Sequence, residues 1–198
     1  MFFPQRFTIP ALFLAFSLPV FPQQSAPVPL HVSDGFIIEQ VAAPPLIEHP
    51  MFGCFDDKGR LFVTESAGLN LKAEDLLQQL PNSIRMLEDT DGDGIFDKST
   101  VFADKMTFPT GVLCYRGAVY SCAYPSLWRL EDTDGDGKAD RRTELVNSFG
   151  SCGNSADVHG PFLGPDGWLY WTDGRNGHDI GLSSLKRWKG KAAWSGSG

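Results

Sequence analysis

The sequence lacks an excess of positive charge, a paired-cysteine motif and, after its first thirty residues, any long apolar run. It carries 24 acidic and 17 basic side chains, for a net charge of −7. Binding of nucleic acid without sequence preference needs a cationic surface, so we expect no such partner. The four cysteines form no CxxC or CxxCH motif, so neither a zinc ribbon nor covalently attached haem is indicated in these residues.

The first 26 residues predict a secretory signal peptide. Arg6 is the only charge before an apolar stretch over residues 7–21, and small polar residues lead to a cleavage site after Ala26. The stretch contains Pro10 and Pro19 and is shorter than the about 20 residues of a spanning helix, although an uncleaved anchor is the alternative. We expect an exported protein, periplasmic or extracellular, with membrane association left open and a linker over residues 27–34.

Export leaves the state of the cysteines open. They are Cys54, Cys114, Cys122 and Cys152. In an oxidising compartment they can form two disulfides in three pairings, and buried free thiols are the alternative. A two-residue turn at Arg116 and Gly117 would place Cys114 opposite Val119, so Cys114 and Cys122 are not expected to be direct cross-strand neighbours.

A duplicated acidic segment is the strongest internal signal. Residues 87–97 recur as residues 130–140 at an offset of 43, and nine of the eleven positions are identical. Repeats of about 40–50 residues are typical of propeller blades and other stacked arrays.

The segments between the acidic copies predict short strands joined by glycine-containing turns. The predicted strands cover residues 53–55, 60–64, 84–87, 100–102, 112–115, 118–122, 127–130, 143–146, 162–163 and 168–172. Leucines on one side of residues 71–80 predict a helix that is inserted in the first blade and ends at Pro81. Four strands per repeat, with an acidic loop joining the outer two, predict an all-β fold of the β-propeller class.

The repeats account for about two and a half to three four-stranded blades over residues 35–193, followed by a disordered tail over residues 194–198. Because an unfinished ring leaves edge strands unpaired, we expect this chain to be the N-terminal part of a longer propeller. We also expect this part to show no turnover by itself.

The acidic loops predict calcium sites. Carboxylates stand at loop positions 1, 3, 5 and 9, glycine permits a sharp turn at position 6, and a main-chain carbonyl is available at position 7. The predicted ligands are Asp89, Asp91, Asp93, Ile95 and Asp97 in the first loop and Asp132, Asp134, Asp136, Lys138 and Asp140 in the second. Position 12 is threonine instead of glutamate, so we expect a structural task. Solvated turns without metal are the alternative.

Candidate active-site residues follow the second repeat. His159 directly precedes a predicted inner strand and can serve as a general base, with Asp157 orienting it. Arg175 and Asn176 follow the next strand and can meet a carboxylate or carbonyl of a ligand or cofactor. The alternative is that His159 is a structural histidine hydrogen-bonded into the blade edge.

These residues also carry a family resemblance. His159 followed by the run from Gly164 to Tyr170 (GPDGWLY) resembles a segment of the glucose/sorbosone dehydrogenase-like quinoprotein propellers. Further segments restrict the resemblance to one group within these propellers; they are residues 35–36, residues 59–65, the two LEDTDGDG loops and residues 109–111. Together they resemble the membrane-bound dehydrogenase N-terminal domains of planctomycete and verrucomicrobial bacteria, from about Gly35 to Ala193.

The resemblance implies a secreted six-bladed propeller, often followed by helical repeats and a c-type cytochrome domain. It implies oxidation of a sugar or alcohol with pyrroloquinoline quinone and calcium, electrons passing to haem, with His159 at the position of the base. One alternative is a non-catalytic propeller that binds polysaccharide or a protein through Trp168, Tyr170 and Trp171. A lactonase-like hydrolase is a third reading, but it would need carboxylates at the central channel.

Overall fold

The computed structural model describes residues 30–151 and 157–177. The predicted signal peptide, Cys152 and the predicted tail lie outside these residues. Residues 30–38 belong to a separate unit, Met1–Ile38, and contain no helix or strand. The strands and the helix of the described residues all belong to the unit Glu39–Gly198. None of the described helices has the length and apolar character needed to cross a membrane.

The described residues form ten strands and one helix. In chain order these are β1 Pro50–Phe55, β2 Leu61–Glu65, α1 Ala73–Gln79, β3 Asn82–Glu88, β4 Lys98–Met106, β5 Leu113–Tyr115, β6 Ala118–Ala123, β7 Ser126–Glu131, β8 Arg141–Val146, β9 His159–Leu163 and β10 Leu169–Thr172. Each predicted strand overlaps one of these, so the reading of short strands joined by glycine turns is confirmed.

The strands form antiparallel sheets in which sequence neighbours are also spatial neighbours. The first sheet has the order β1-β2-β3-β4, the second β5-β6-β7-β8, and β9 pairs with β10 in a hairpin. The predicted turn register is confirmed, because Cys114 pairs with Val119. The chain is therefore all-β in architecture, with successive four-stranded antiparallel sheets as in a β-propeller. The number of blades and the closure of the ring stay predictions.

Consecutive sheets pack face to face through apolar side chains. Phe62 and Phe102 of the first sheet meet edge to face at 5.0 Å between ring centroids, and their cluster includes Val119 and Leu130 of the second sheet. A second cluster joins the second sheet to the β9–β10 hairpin; its members are Cys122, Leu127, Phe149, Val158 and Trp171. Burial of both faces of the second sheet explains why all six residues of β6 are buried.

The first strands of the three units adjoin one another. Cys54 on β1 contacts Cys114 on β5, and the ring of Phe52 on β1 lies 6.0 Å from the ring of His159 on β9. Adjacent first strands are what a propeller would place around its centre. His159 is the first residue of β9, whereas the sequence placed it just before the strand.

Each acidic loop hydrogen-bonds to the chain segment that precedes its own sheet. The N–H of Ala139 donates to the carbonyl of Phe102 on β4 at 2.7 Å. The equivalent residue 43 positions earlier, Phe96, donates to the carbonyl of Val41 at 2.9 Å. The segment around Val41 therefore contacts the acidic loop of the first sheet in the same way as β4 contacts the acidic loop of the second sheet.

Helix α1 is shorter than the predicted range of residues 71–80. Leu76 is buried, whereas Leu77 is 43% exposed. The helix ends at Gln79, and its C-cap Leu80 has a left-handed conformation with φ of 46°. Leu77 is exposed because a seven-residue insertion on the surface needs only one buried anchor.

Candidate functional site

Three carboxylates meet in each acidic loop. Asp89, Asp91 and Asp93 each offer one oxygen, and these oxygens lie within 4.8 Å of one another. The second loop repeats the arrangement with Asp132, Asp134 and Asp136. Carboxylates this close repel one another unless a cation or hydrogen bonds offset their charge.

Main-chain hydrogen bonds build the first loop around Asp89. Its two carboxylate oxygens accept hydrogen bonds from the N–H groups of Gly92 at 2.7 Å and Gly94 at 2.9 Å. Both glycines have positive φ, 81° and 90°, a conformation that other residues rarely adopt. These bonds stabilise the charged form and hold the pKa of Asp89 below its ordinary value.

The second loop has the same construction. Asp132 accepts from Gly135 at 2.7 Å and from Gly137 at 2.9 Å. Agreement between two copies that lie in different sheets shows that the loop sequence itself encodes this geometry.

The acidic residue at position 9 has a different contact from the one predicted. Asp97 accepts hydrogen bonds from the N–H of Thr90 at 3.1 Å and from its hydroxyl at 2.6 Å, and the three-carboxylate cluster does not include it. Asp140 holds Thr133 in the same way, and this hydroxyl is the main cause that lowers the pKa of Asp140. The carbonyls of Ile95 and Lys138 stay predicted ligands.

The donor set of both loops fits calcium. Ca²⁺ takes six to eight oxygen ligands, so three carboxylates supply part of its shell. The loops are largely exposed, which leaves room for water and main-chain carbonyls to complete it. Hard carboxylate oxygens without histidine or cysteine favour Ca²⁺ over softer transition metals.

His159 is held in one orientation by a main-chain contact. Its Nδ1 lies 2.7 Å from the carbonyl oxygen of Asp157, which makes Nδ1 the protonated nitrogen. Within residues 30–151 and 157–177, no group hydrogen-bonds to Nε2. The half-buried ring thus presents its Nε2 edge without a hydrogen-bond partner from the described residues, and the ring lies 6.0 Å from that of Phe52.

The carboxylate of Asp157 makes a different contact from its carbonyl. Asp157 is 3% exposed, and its Oδ2 accepts a hydrogen bond from the hydroxyl of Ser151 at 2.8 Å. The sequence predicted that Asp157 orients His159. In the structure the recorded contact with the ring comes from the main chain of Asp157.

Ser151 connects this pair to a cleft. The side-chain amide of Asn176 donates to the carbonyl of Ser151 at 2.5 Å, and both residues line a cleft of about 700 Å³. The rest of the lining comes from the helix insertion: Asn70, Leu71, Lys72, Ala73 and Glu74. Arg175 is exposed and hydrogen-bonds to none of the residues that the structure describes.

The motif around Thr110 supports the start of β9, a role that the sequence did not reveal. The buried hydroxyl of Thr110 contacts the carbonyl of Val158, and the N–H of Gly160 donates to the carbonyl of Thr110 at 3.3 Å. A Cβ on Gly111 would lie 2.3 Å from the carbonyl oxygen of Gly160. Thr110 and Gly111 therefore fix the residues on both sides of His159.

Trp168, just before β10, and the aromatic residues of β10 do not form an exposed row. Trp171 is 8% exposed and packs against Phe149, with 6.2 Å between ring centroids. Trp168 and Tyr170 are half-buried, and the Tyr170 hydroxyl donates to Asp166 at 2.5 Å. Burial of Trp171 in the core leaves this strand poorly suited to stacking on a polysaccharide.

Comparison with known families assigns the chain. Residues 22–195 match the profile of the family described as Domain of unknown function (DUF7133). The chain belongs to the DUF7133 family. A search of the curated proteins finds no match to this DUF7133 chain.

Two solved structures illustrate its structural similarity. The holo form of the pyranose dehydrogenase PQQ domain from Coprinopsis cinerea is 15% identical, with a TM-score of 0.42 over 61% of this chain and 26% of that one. The calcium structure of a Trichoderma reesei carbohydrate-active enzyme of family AA12 is 16% identical, with a TM-score of 0.39 over 61% of this chain and 29% of that one. The DUF7133 chain thus spans little more than a quarter of the length of these structures.

Proposed function

We propose that this DUF7133 chain is part of an exported, calcium-binding β-propeller that acts as a quinone-dependent sugar or alcohol dehydrogenase. The observation that carries the proposal is the setting of His159. It begins an inner strand, its Nδ1 is bound to the carbonyl of Asp157, and no described residue hydrogen-bonds to Nε2. The sequence motifs around it resemble those of quinoprotein sugar dehydrogenases.

In this proposal His159 is the general base. Donation of the Nδ1 proton to a carbonyl fixes the tautomer, so the lone pair on Nε2 can accept the proton of a substrate hydroxyl. Ser151 holds the carboxylate of Asp157, and the main chain of Asp157 in turn holds the imidazole. Bound pyrroloquinoline quinone would supply the electron acceptor of the reaction.

The cleft beside Ser151 offers donors for an anionic ligand, together with one opposing carboxylate, Glu74. Lys72 contributes a cation and Asn176 an amide, and exposed Arg175 adjoins Asn176 in the sequence. A volume of about 700 Å³ is within the range of small-molecule sites. These residues would hold the carboxylates of the quinone through charge-assisted hydrogen bonds. A c-type cytochrome domain is the proposed electron acceptor from the loaded enzyme.

The acidic loops have a structural role in this proposal. A calcium ion in each loop would offset the charge of its three carboxylates and stiffen the connection between the outer strands. The second loop already touches the first sheet through Ala139, so ordering the loop also supports packing between the sheets.

The test uses the full-length gene product supplied with calcium and pyrroloquinoline quinone. We expect quinone binding and reduction of an electron-accepting dye with at least one aldose or alcohol in a panel. His159→Asn should lower kcat about 100-fold or more while quinone binding is retained, because Asn keeps a donor for the Asp157 carbonyl and loses the base. His31→Asn is the matched control, since His31 is exposed in the separate unit Met1–Ile38. Absence of both quinone binding and dye reduction would reject the proposal.

A further inference from the structure

Two cysteines from different sheets lie against each other. Cys54 is on β1 and Cys114 on β5, and 60 positions of sequence separate them. The N–H of Cys114 donates to Sγ of Cys54 at 3.3 Å, and Sγ of Cys114 lies 3.6 Å from the carbonyl oxygen of Cys54. Each sulfur therefore reaches the main chain of the other residue, and both thiols are unlinked in the structure.

Cys122 provides an internal contrast. It is fully buried in the core between the second sheet and the β9–β10 hairpin, and burial alone raises the pKa of its thiol. For Cys114, burial and the neighbouring Cys54 thiol both raise the pKa.

The pair can be reached from solvent. Cys114 lines a cleft of about 470 Å³ between the β1–β2 turn and the β5–β6 turn. Lys58 and Arg116 are exposed at its lining, and the pair itself is half-buried. Asp56, Asp57 and Asp132 line the same cleft, so its charges balance and it admits a small disulfide by access alone.

We propose that Cys54 and Cys114 form a disulfide that joins the inner strands of the first and second sheets. The oxidant is a small-molecule or protein disulfide. One protein thiolate attacks its S–S bond and releases a thiol, and the second protein thiol then displaces the other half of the oxidant. One intramolecular S–S bond forms, the oxidant accepts two electrons, and both thiol protons end on the two thiols released from it.

The cross-link would act where the fold relies on side-chain packing. Among the described residues the two sheets share no strand pairing; apolar contacts between their faces hold them together, with polar contacts to β4 only from Ala139 and Arg142. A disulfide that closes a loop of this length restricts the unfolded chain strongly. It would fix β1 to β5 beside the convergence point of the inner strands, without depending on any catalytic role of the protein.

Peptide mapping tests the proposal directly. The purified protein is equilibrated with oxidised glutathione, its free thiols are alkylated, and it is digested with trypsin without reduction. Lys58, Arg116 and Arg129 separate the cysteines, so each lies in its own tryptic peptide. We expect a covalent pair of the Cys54 and Cys114 peptides, with Cys122 recovered in the alkylated form after denaturation. Recovery of Cys54 and Cys114 as alkylated thiols, or of either one linked to another cysteine, would overturn the proposal.

Thermal unfolding provides a second readout. Reduction should lower the melting temperature of the oxidised wild-type protein by about 10 °C, and it should have no such effect on Cys54→Ala or Cys114→Ala. Cys122→Ala is the matched control and should keep both the linked peptides and the sensitivity to reduction. An equal shift in Cys54→Ala and in the wild type would contradict the proposed link. If a variant fails to fold, the wild-type peptide map still decides the question.

Discussion

At the scale of single residues, Gly111 shows how closely the second sheet and the β9–β10 hairpin approach each other. A Cβ there would lie 2.3 Å from the carbonyl oxygen of Gly160, a main-chain atom next to His159. We predict that Gly111→Ala lowers the free energy of unfolding by about 3 kcal/mol, because the backbone has to move to admit the methyl group. Urea denaturation measures this loss.

Gly53→Ala is the matched control for Gly111→Ala. At Gly53 on β1 a Cβ would meet Leu61 at 3.4 Å, an ordinary contact, so the change should cost less than about 0.5 kcal/mol. Similar losses for the two variants would show that Gly111 is not a point of close approach. If the proposed function holds, Gly111→Ala should also lower kcat, since it shifts the residue beside the base.

The hydrogen bond of Tyr170 leads to a prediction about how stability depends on pH. Its hydroxyl donates to Asp166 at 2.5 Å, and this bond to a carboxylate raises the pKa of Tyr170 above 10.0. The stabilising contribution of the bond is therefore fully present below pH 10 and is lost as the pH rises through the folded-state pKa. The difference between the absorbance titrations of the wild type and of Tyr170→Phe isolates the ionisation of this tyrosine. Asp166→Asn should return its pKa toward 10, and an unchanged titration would contradict the assigned contact.

At the scale of elements, local sequence signals predicted the strands well. Glycine turns and β-branched or aromatic runs lie within single hairpins. Whether they form turns and strands therefore depends on residues only a few positions away. The pairing of Cys114 with Val119 followed from the turn alone. The carboxylate clusters of the acidic loops followed in the same way, because Asp89 and Asp132 bond to N–H groups within five residues.

Contacts between distant segments were not predictable in this way. Thr110 supports Val158, and Cys54 lies against Cys114, but 48 and 60 positions separate these pairs. Only the packing of one sheet on the next brings them together, and no local pattern encodes it. The helix insertion was placed correctly, yet the exposure of Leu77 depends on what its surface packs against, which periodicity does not show.

The packing between sheets gives a prediction about strand β7. Leu130 is fully buried in the cluster that joins the first and second sheets. Leu130→Ala should lower the free energy of unfolding by about 2–5 kcal/mol, because it removes buried apolar surface and leaves a cavity. Val101→Ala on β4 is the control. Val101 is 37% exposed, so this substitution should lower the free energy of unfolding by less than about 1 kcal/mol. Equal losses in urea denaturation would contradict packing of the two sheets through this face.

At the scale of the whole molecule, the repeat couples each sheet to the segment before it. The N–H groups of Phe96 and Ala139 make the same contact, one with Val41 and the other with Phe102. Each acidic loop thus lies where its own sheet meets its predecessor. If both loops bind calcium, removing the ion should loosen packing between sheets as well as the loops themselves.

Counting calcium ions by isothermal titration of the chelator-treated protein is the most direct test of the proposed calcium-binding propeller. We predict two ions per chain at millimolar calcium or below, one in each loop. Asp91→Ala and Asp134→Ala should each leave one ion, and the double variant none, whereas Asp57→Ala in the exposed β1–β2 turn should keep two. A wild-type protein that binds no calcium, or a double variant that still binds two ions, would contradict the prediction.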